Sequence, residues 1–126
     1  MSFSYPKKEK LKSQKLIEKL FSEGKSIGAY PLRIVYLKSN FEDDTRFKTG
    51  VSVSKRNFKN AVDRNHIKRL LREAYRLNKA VYFNNILSSY ALMILYIGKD
   101  GTDFESINTK MKDLLDAFSK KVSETK

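Results

Sequence analysis

With 126 residues, 40% of them hydrophobic and 32% charged, the chain has the length and apolar share to bury one core, which excludes a disordered tail and leaves no room for two substantial domains. The absence of cysteine excludes disulfides and thiolate metal sites, and no apolar run has the length of a signal sequence or a membrane span, so the sequence reads as a soluble, cytoplasmic protein. The net charge of +12 is unevenly placed: residues 46 to 79 hold eleven Lys or Arg against Asp63 and Glu73, the first 25 residues add seven lysines against three glutamates, and from Lys99 onward six bases meet six acids. Clustering of this kind is the footprint of a polyanion, with nucleic acid ahead of a membrane surface because no strongly apolar face accompanies it.

In chain order, Leu16, Ile17, Leu20 and Phe21 form the apolar stripe of a short helix that begins near Ser13 and stops at Gly24. Residues 30–38, "YPLRIVYLK", alternate as a strand; "NFEDDT", residues 40–45, supplies turn chemistry; and "RFKTGVSVS", residues 46–54, alternates again. The two strands are expected to pair as a hairpin. A helix follows from Asn60, which can cap its first turn, and "RLNKAVYFNNILSS" either extends it or connects it onward. Residues 90–98, "YALMILYIG", are apolar on both faces and suit a buried central strand. A final helix is marked by a capping box at Thr102 and Glu105 and by Phe104, Ile107, Met111, Leu114, Leu115, Phe118 and Val122 at helical spacing. The order predicts an α+β sandwich with helices packed on a mixed sheet, a fourth edge strand being compatible with it. The whole chain is expected to form a single domain, with residues 1–10 and 122–126 flexible.

In the helix that follows Asn60, "KNAVDRNHIKRLLREAYR", Ile67, Leu70, Leu71, Ala74 and Tyr75 gather on one face, while on the adjoining face Asn65, Arg69, Arg72 and Arg76 form a row at spacings of four, three and four, with Arg64, Lys68 and Lys79 beside it. A solvated helix face is the ordinary explanation of such charge. Here Asp63 and Glu73 are too few to neutralise it through i, i+4 pairs, and an uncharged donor and acceptor inside the row suits contacts to phosphates together with a base edge or ribose hydroxyl. His66, the sole histidine, has no partner at ligand spacing and is read as a surface residue without a catalytic role.

The segment "GVSVSKRNFKNAVDRNHIKRLLREAYR", residues 50–76, resembles the signature of the bacterial ribonuclease P protein component, and "LKSQKLIEKLFSEGKS" extends the likeness to the first helix. The resemblance implies an α-β-β-α-β-α sandwich, the ribosomal protein S5 domain 2-like fold with a left-handed βαβ crossover. It implies a protein that binds the catalytic RNA of ribonuclease P, one to one, and the 5′ leader of precursor tRNA, while the RNA performs the hydrolysis with its own Mg2+. No metal, catalytic residue, membrane or obligate protein partner is then expected for the protein itself. Arg64, Asn65, Lys68, Arg69 and Arg72 match the family's basic motif, and Arg76, Lys55 and Arg56 adjoin them as contacts to the catalytic RNA. His66 stands where the family usually has a second arginine. The leader groove of the family, between the first helix and the sheet, maps to Phe21 and Ile17, with Arg33, Tyr36, Lys48 and Ser52 from the strands. From the sequence alone, Phe21 and Tyr36 read equally well as core side chains.

Three other functions compete at this level. A ribosomal or ribosome-associated RNA-binding protein can share the same sandwich. A free-standing endonuclease would need paired catalytic groups, which the scattered carboxylates do not form. A helix-turn-helix DNA reader would need a partner helix where the sequence has a strand.

Overall fold

The computed structural model describes residues 9–41, 45–84 and 86–123. In chain order the elements are α1 (Gln14–Glu23), β1 (Lys25–Ala29), β2 (Leu32–Lys38), β3 (Phe47–Val53), α2 (Ala61–Phe83), β4 (Tyr90–Tyr96) and α3 (Phe104–Ser123). The strands form one sheet in the order β1-β2-β4-β3, in which β3 runs parallel to β4 and the other pairs are antiparallel. Six of the seven residues of β4 are buried, as two-sided apolar composition demands of a strand covered on both faces. On one face Leu92, Ile94 and Tyr96 join Leu32, Ile34 and Tyr36 beneath α2 and α3; on the other, Ala91 and Met93 join Val35 beneath Leu11 and Leu20.

The expected hairpin between residues 30–38 and 46–54 does not form. β4 lies between these strands, and β2 instead makes its hairpin with β1, the fourth strand, through a turn containing a cis Tyr30-Pro31 bond. Alternation shows that a segment is half-buried but not which strand it pairs with; the one segment apolar on both sides takes the centre. Of the acidic stretch at 40–45, residues 42–44 lie outside the described residues. So do residues 1–8 and 124–126 of the ends expected to be flexible. Glu9 forms an ion pair with Lys79, Lys10 bridges to Thr49 beside β3, and Val122, 8% exposed, belongs to the main core.

The helix termini follow local chemistry. Ser13 Oγ accepts from Leu16 N (3.2 Å), and Asn60 Oδ1 from Val62 N (2.9 Å), so both expected helix starts are capped by side chains. The capping box at Thr102 and Glu105 is replaced: Asp103 Oδ1 accepts from Ser106 N (2.8 Å), while the Thr102 hydroxyl turns to the Asp103 carbonyl. A carboxylate binds the orphan amides and the positive helix end more strongly than a threonine hydroxyl does.

Two polar contacts, one buried and one partly buried, set the roll of α2. Thr49 Oγ1 donates to Tyr75 Oη (2.8 Å), tying the helix to β3, and Asn78 Nδ2 donates to Asn108 Oδ1 (2.7 Å), tying it to α3. Around the far end of α2, the ring of Phe118 packs edge-on to Tyr36, Phe83 and Tyr90 at centroid distances of 5.1, 5.7 and 5.5 Å.

Gly24 ends α1 with ordinary φ of −71°, so its requirement is space rather than a left-handed backbone. A Cβ there would stand 2.3 Å from the Leu20 carbonyl oxygen and 2.9 Å from that of Tyr36, both main-chain atoms with little freedom to move. Gly24→Ala is expected to lower stability by about 1–3 kcal/mol through overpacking, read as a shifted midpoint at unchanged slope in urea denaturation. The Asp103 carboxyl is held below its ordinary pKa, chiefly by the hydrogen bond from the Ser106 amide. Its contribution is therefore complete above the unfolded carboxylate pKa and is lost as pH falls through the lowered folded value. Stability curves of the parent and Asp103→Asn should separate on raising the pH through that acidic window; parallel curves would show that the charge adds nothing to the cap.

Candidate nucleic-acid interface

Along α2 the buried positions are Ile67, Leu71, Ala74, Tyr75 and Asn78, a stripe held against the sheet and α3. A helix advances about 100° per residue, which sets Asn65, Arg69, Arg72 and Arg76 on the side opposite that stripe. The row therefore turns away from the core, with Arg76 partly buried. Asn65, Arg69 and Arg72 are exposed and Lys68 is half-buried; among the described residues none of these four side chains has a hydrogen bond or an ion pair. An asparagine and three cations are thus presented together.

The structure separates other members of the expected set from this group. Arg76 is paired with Glu73 on the next turn back, which offsets its charge at that end of the row. Arg64 turns toward the protein, and its Nη1 donates to the carbonyls of Phe58 (2.8 Å) and Lys59 (2.9 Å), so one nitrogen of the guanidinium braces the turn that leads into α2. That turn carries Lys55 and Arg56, both exposed. Ser54 Oγ accepts from the amides of Arg56 (3.2 Å) and Asn57 (3.4 Å), and Asn57 Nδ2 donates to the Gly98 carbonyl (3.3 Å). The basic turn is fixed to the segment after β4, bringing exposed Lys99 into its vicinity. Sequence reading missed Lys99 because the linking contact spans 41 residues and leaves no local periodicity.

A second surface lies on the other face of the sheet. α1 packs there on β2 and β4, leaving the α1-side residues of edge strand β3, Lys48, Gly50 and Ser52, beside it. Ser52, Leu95 and Arg33 are register partners across β3, β4 and β2 and so form one row on this face. Arg33 Nη1 donates to Ser26 Oγ (3.2 Å), and the Lys48 ammonium lies 5.3 Å from the centroid of the Phe41 ring, an aromatic neighbour the sequence did not single out. Between Lys48 and Ser52, Gly50 keeps the floor low; a Cβ there would meet Met93 Cε at 3.1 Å. Phe21 on α1 is 51% exposed, while Ile17 is partly buried against the core beneath the helix. Arg33, Lys48, Ser52 and the two α1 residues thus share one side of the sheet.

Tyr36 does not. It is 7% exposed on the opposite face, where its ring packs against Tyr90 and Phe118; strand parity turns residue 36 away from residue 33. Burial, and secondarily the neighbouring Tyr90, push its phenol up from the usual value. It is a core residue rather than part of the α1-side groove. His66 is exposed, and among the described residues no three His, Asp or Glu side chains gather as a metal-binding group. No helix among them is long and apolar enough to cross a membrane.

A family model described as ribonuclease P matches residues 5–119. The ribonuclease P protein component of Porphyromonas gingivalis is 37% identical over 118 residues, spanning 90% of this chain and 85% of that protein. That of Dictyoglomus thermophilum is 35% identical over 114 residues, spanning 90% and 87%. The fold matches solved ribonuclease P proteins from Staphylococcus aureus (TM-score 0.69, 20% identity, 87% of this chain and 94% of that one) and Thermotoga maritima (TM-score 0.69, 24% identity, 86% and 96%). With the sequence matched over nine-tenths of its length and the sandwich matched over nearly as much, the chain belongs to the family of ribonuclease P protein components.

Proposed function

We propose that the chain binds the catalytic RNA of ribonuclease P through α2 and the preceding turn, and the 5′ leader of precursor tRNA along the α1 side of the sheet, assisting removal of the leader. One observation carries this reading: Asn65, Lys68, Arg69 and Arg72 are presented without protein partners among the described residues. A cation whose charge is satisfied internally has less to offer a phosphate; these retain their full capacity. Lys55 and Arg56 add two more on a turn whose backbone is already fixed, so their ordering cost on binding falls on the side chains alone. The protein contributes affinity and position. The RNA, with Mg2+ bound to it, contributes the hydrolysis; one protein serves one RNA, in the cytoplasm.

The α1 side suits an unpaired strand. Lys48 and Arg33 supply charge for its backbone, Ser52 supplies a small hydrogen-bonding group, and exposed Phe21 supplies an aromatic face for a base, with Ile17 as an aliphatic neighbour on the same helix. The two RNA surfaces use different elements, so they can be weakened separately.

Cleavage of a precursor tRNA at low Mg2+ is expected at the mature 5′ end when protein and catalytic RNA are combined, and not with the protein alone. If Lys55, Arg56, Lys68, Arg69 and Arg72 each displace a counterion at roughly 0.7 per contact, log affinity for the catalytic RNA should fall with log salt at a slope of about −3.5. Arg69→Ala with Arg72→Ala should make that slope shallower by about 1.4; an unchanged slope would remove α2 from the interface. Phe21→Ala should weaken binding of leader-bearing precursor by about 1–3 kcal/mol, the range of one base stack, and leave mature tRNA binding unchanged. Equal losses for both RNAs in a filter-binding comparison would place Phe21 outside the leader contact.

A further inference from the structure

At the end of the sheet remote from the basic start of α2, a cavity of about 470 Å3 opens beneath β1, β2 and the end of α3. The remoteness follows from register: the cavity is lined by Tyr90 and Lys38, which pair at the first residue of β4, whereas α2 is reached from Val53, which pairs with Tyr96 at the other end. Lys25, Lys38 and Lys121 line it, contributed by three elements, and among the described residues none that lines it is acidic. None of these three ammonium groups has an ion-pair partner among the described residues; the salt bridge in this part of α3 uses Lys120 and Asp116 instead.

Tyr36 and Tyr90 line the same cavity, and neither hydroxyl has a hydrogen-bond partner among the described residues. Burial pushes both phenols up, so they remain protonated and able to donate. At the mouth stands Leu87, 78% exposed, an apolar side chain left without cover. A lysine in the last turn of α3 is also what its negative helix end favours. That explains Lys121, but not the lysines brought from two strands nor the two donors between them.

We propose that this cavity binds a nucleoside phosphate, either a free nucleotide or one unpaired residue of an RNA. The lysines receive the phosphate, the tyrosine hydroxyls donate to acceptors on the sugar or base, and Leu87 covers the ring. The volume lies within the range of small-ligand pockets, about 300–1,000 Å3. The site is separate from α2 and from the α1 side of the sheet, so it stands or falls independently of them.

The test is a titration of the full chain, with labelled Leu and Val methyl groups, by adenosine 5′-monophosphate, by inorganic phosphate and by hexauridylate. The mononucleotide is expected to move the Leu87 and Val122 signals. Lys38→Gln with Lys121→Gln should weaken that response by about tenfold, and Tyr90→Phe, which keeps the ring, should weaken it less. Arg69→Ala with Arg72→Ala should leave it unchanged. Movement of the same signals by hexauridylate would assign the site to an RNA residue, and movement by the mononucleotide alone to a free nucleotide. The proposal is overturned if the mononucleotide perturbs α2 only, if inorganic phosphate acts at the same concentration as the mononucleotide, or if the lysine variant responds like the parent.

Discussion

The arrangement depends on one constraint: β4 is apolar on both sides and has to be covered on both. A strand of this kind cannot lie at a sheet edge without exposing a row of large side chains, so it becomes the strand between β2 and β3. Two layers are then required. α2 and α3 supply one, and the short α1 with Leu11 supplies the other. Because α1 is only ten residues long and sits over β2 and β4, the same constraint that demands a cover leaves part of β3 beside it without one.

The two faces consequently differ in kind. On the α2 side, aromatic rings and hydrogen bonds fix the helix in rotation, which allows its outer side to carry charge that serves no internal purpose. On the α1 side the cover is partial, and polar side chains from three strands reach the surface next to apolar ones. Rigidity beneath the helix and incompleteness beside α1 are both results of packing rather than of charge. They convert a basic composition into two directed surfaces.

Much of this was visible in the sequence where the determining interactions are local. The helix start near Ser13, the cap at Asn60, the stop at Gly24, the buried character of residues 90–96 and the apolar stripe of α3 are written within a turn or two of themselves. Strand partnership was not, since the alternation of β2 and β3 is satisfied by any neighbour and the decisive one arrives after a 23-residue helix. The basic row was readable because helical spacing fixes it. The engagement of Arg64 with the Phe58 and Lys59 carbonyls was not readable, since it depends on how the turn folds back. Tyr36, open in the sequence between groove and core, joins the core because it shares the parity of Leu32 and Ile34 rather than that of Arg33. The segment's likeness to a known family supplied what pattern could not.

The position of the central strand has a consequence for the order in which the chain is made. Synthesis runs from the N-terminus, so all of α1, β1, β2, β3 and α2 precede the strand that joins β2 to β3. Until residues 90–96 emerge, the β1-β2 hairpin and the β3-α2 unit have no shared sheet, and α2 offers its apolar stripe and its cations to the surroundings at once. The late arrival of β4 therefore holds back the joining of the two halves of the sheet until α2 has been made, with α3 following to seal the core.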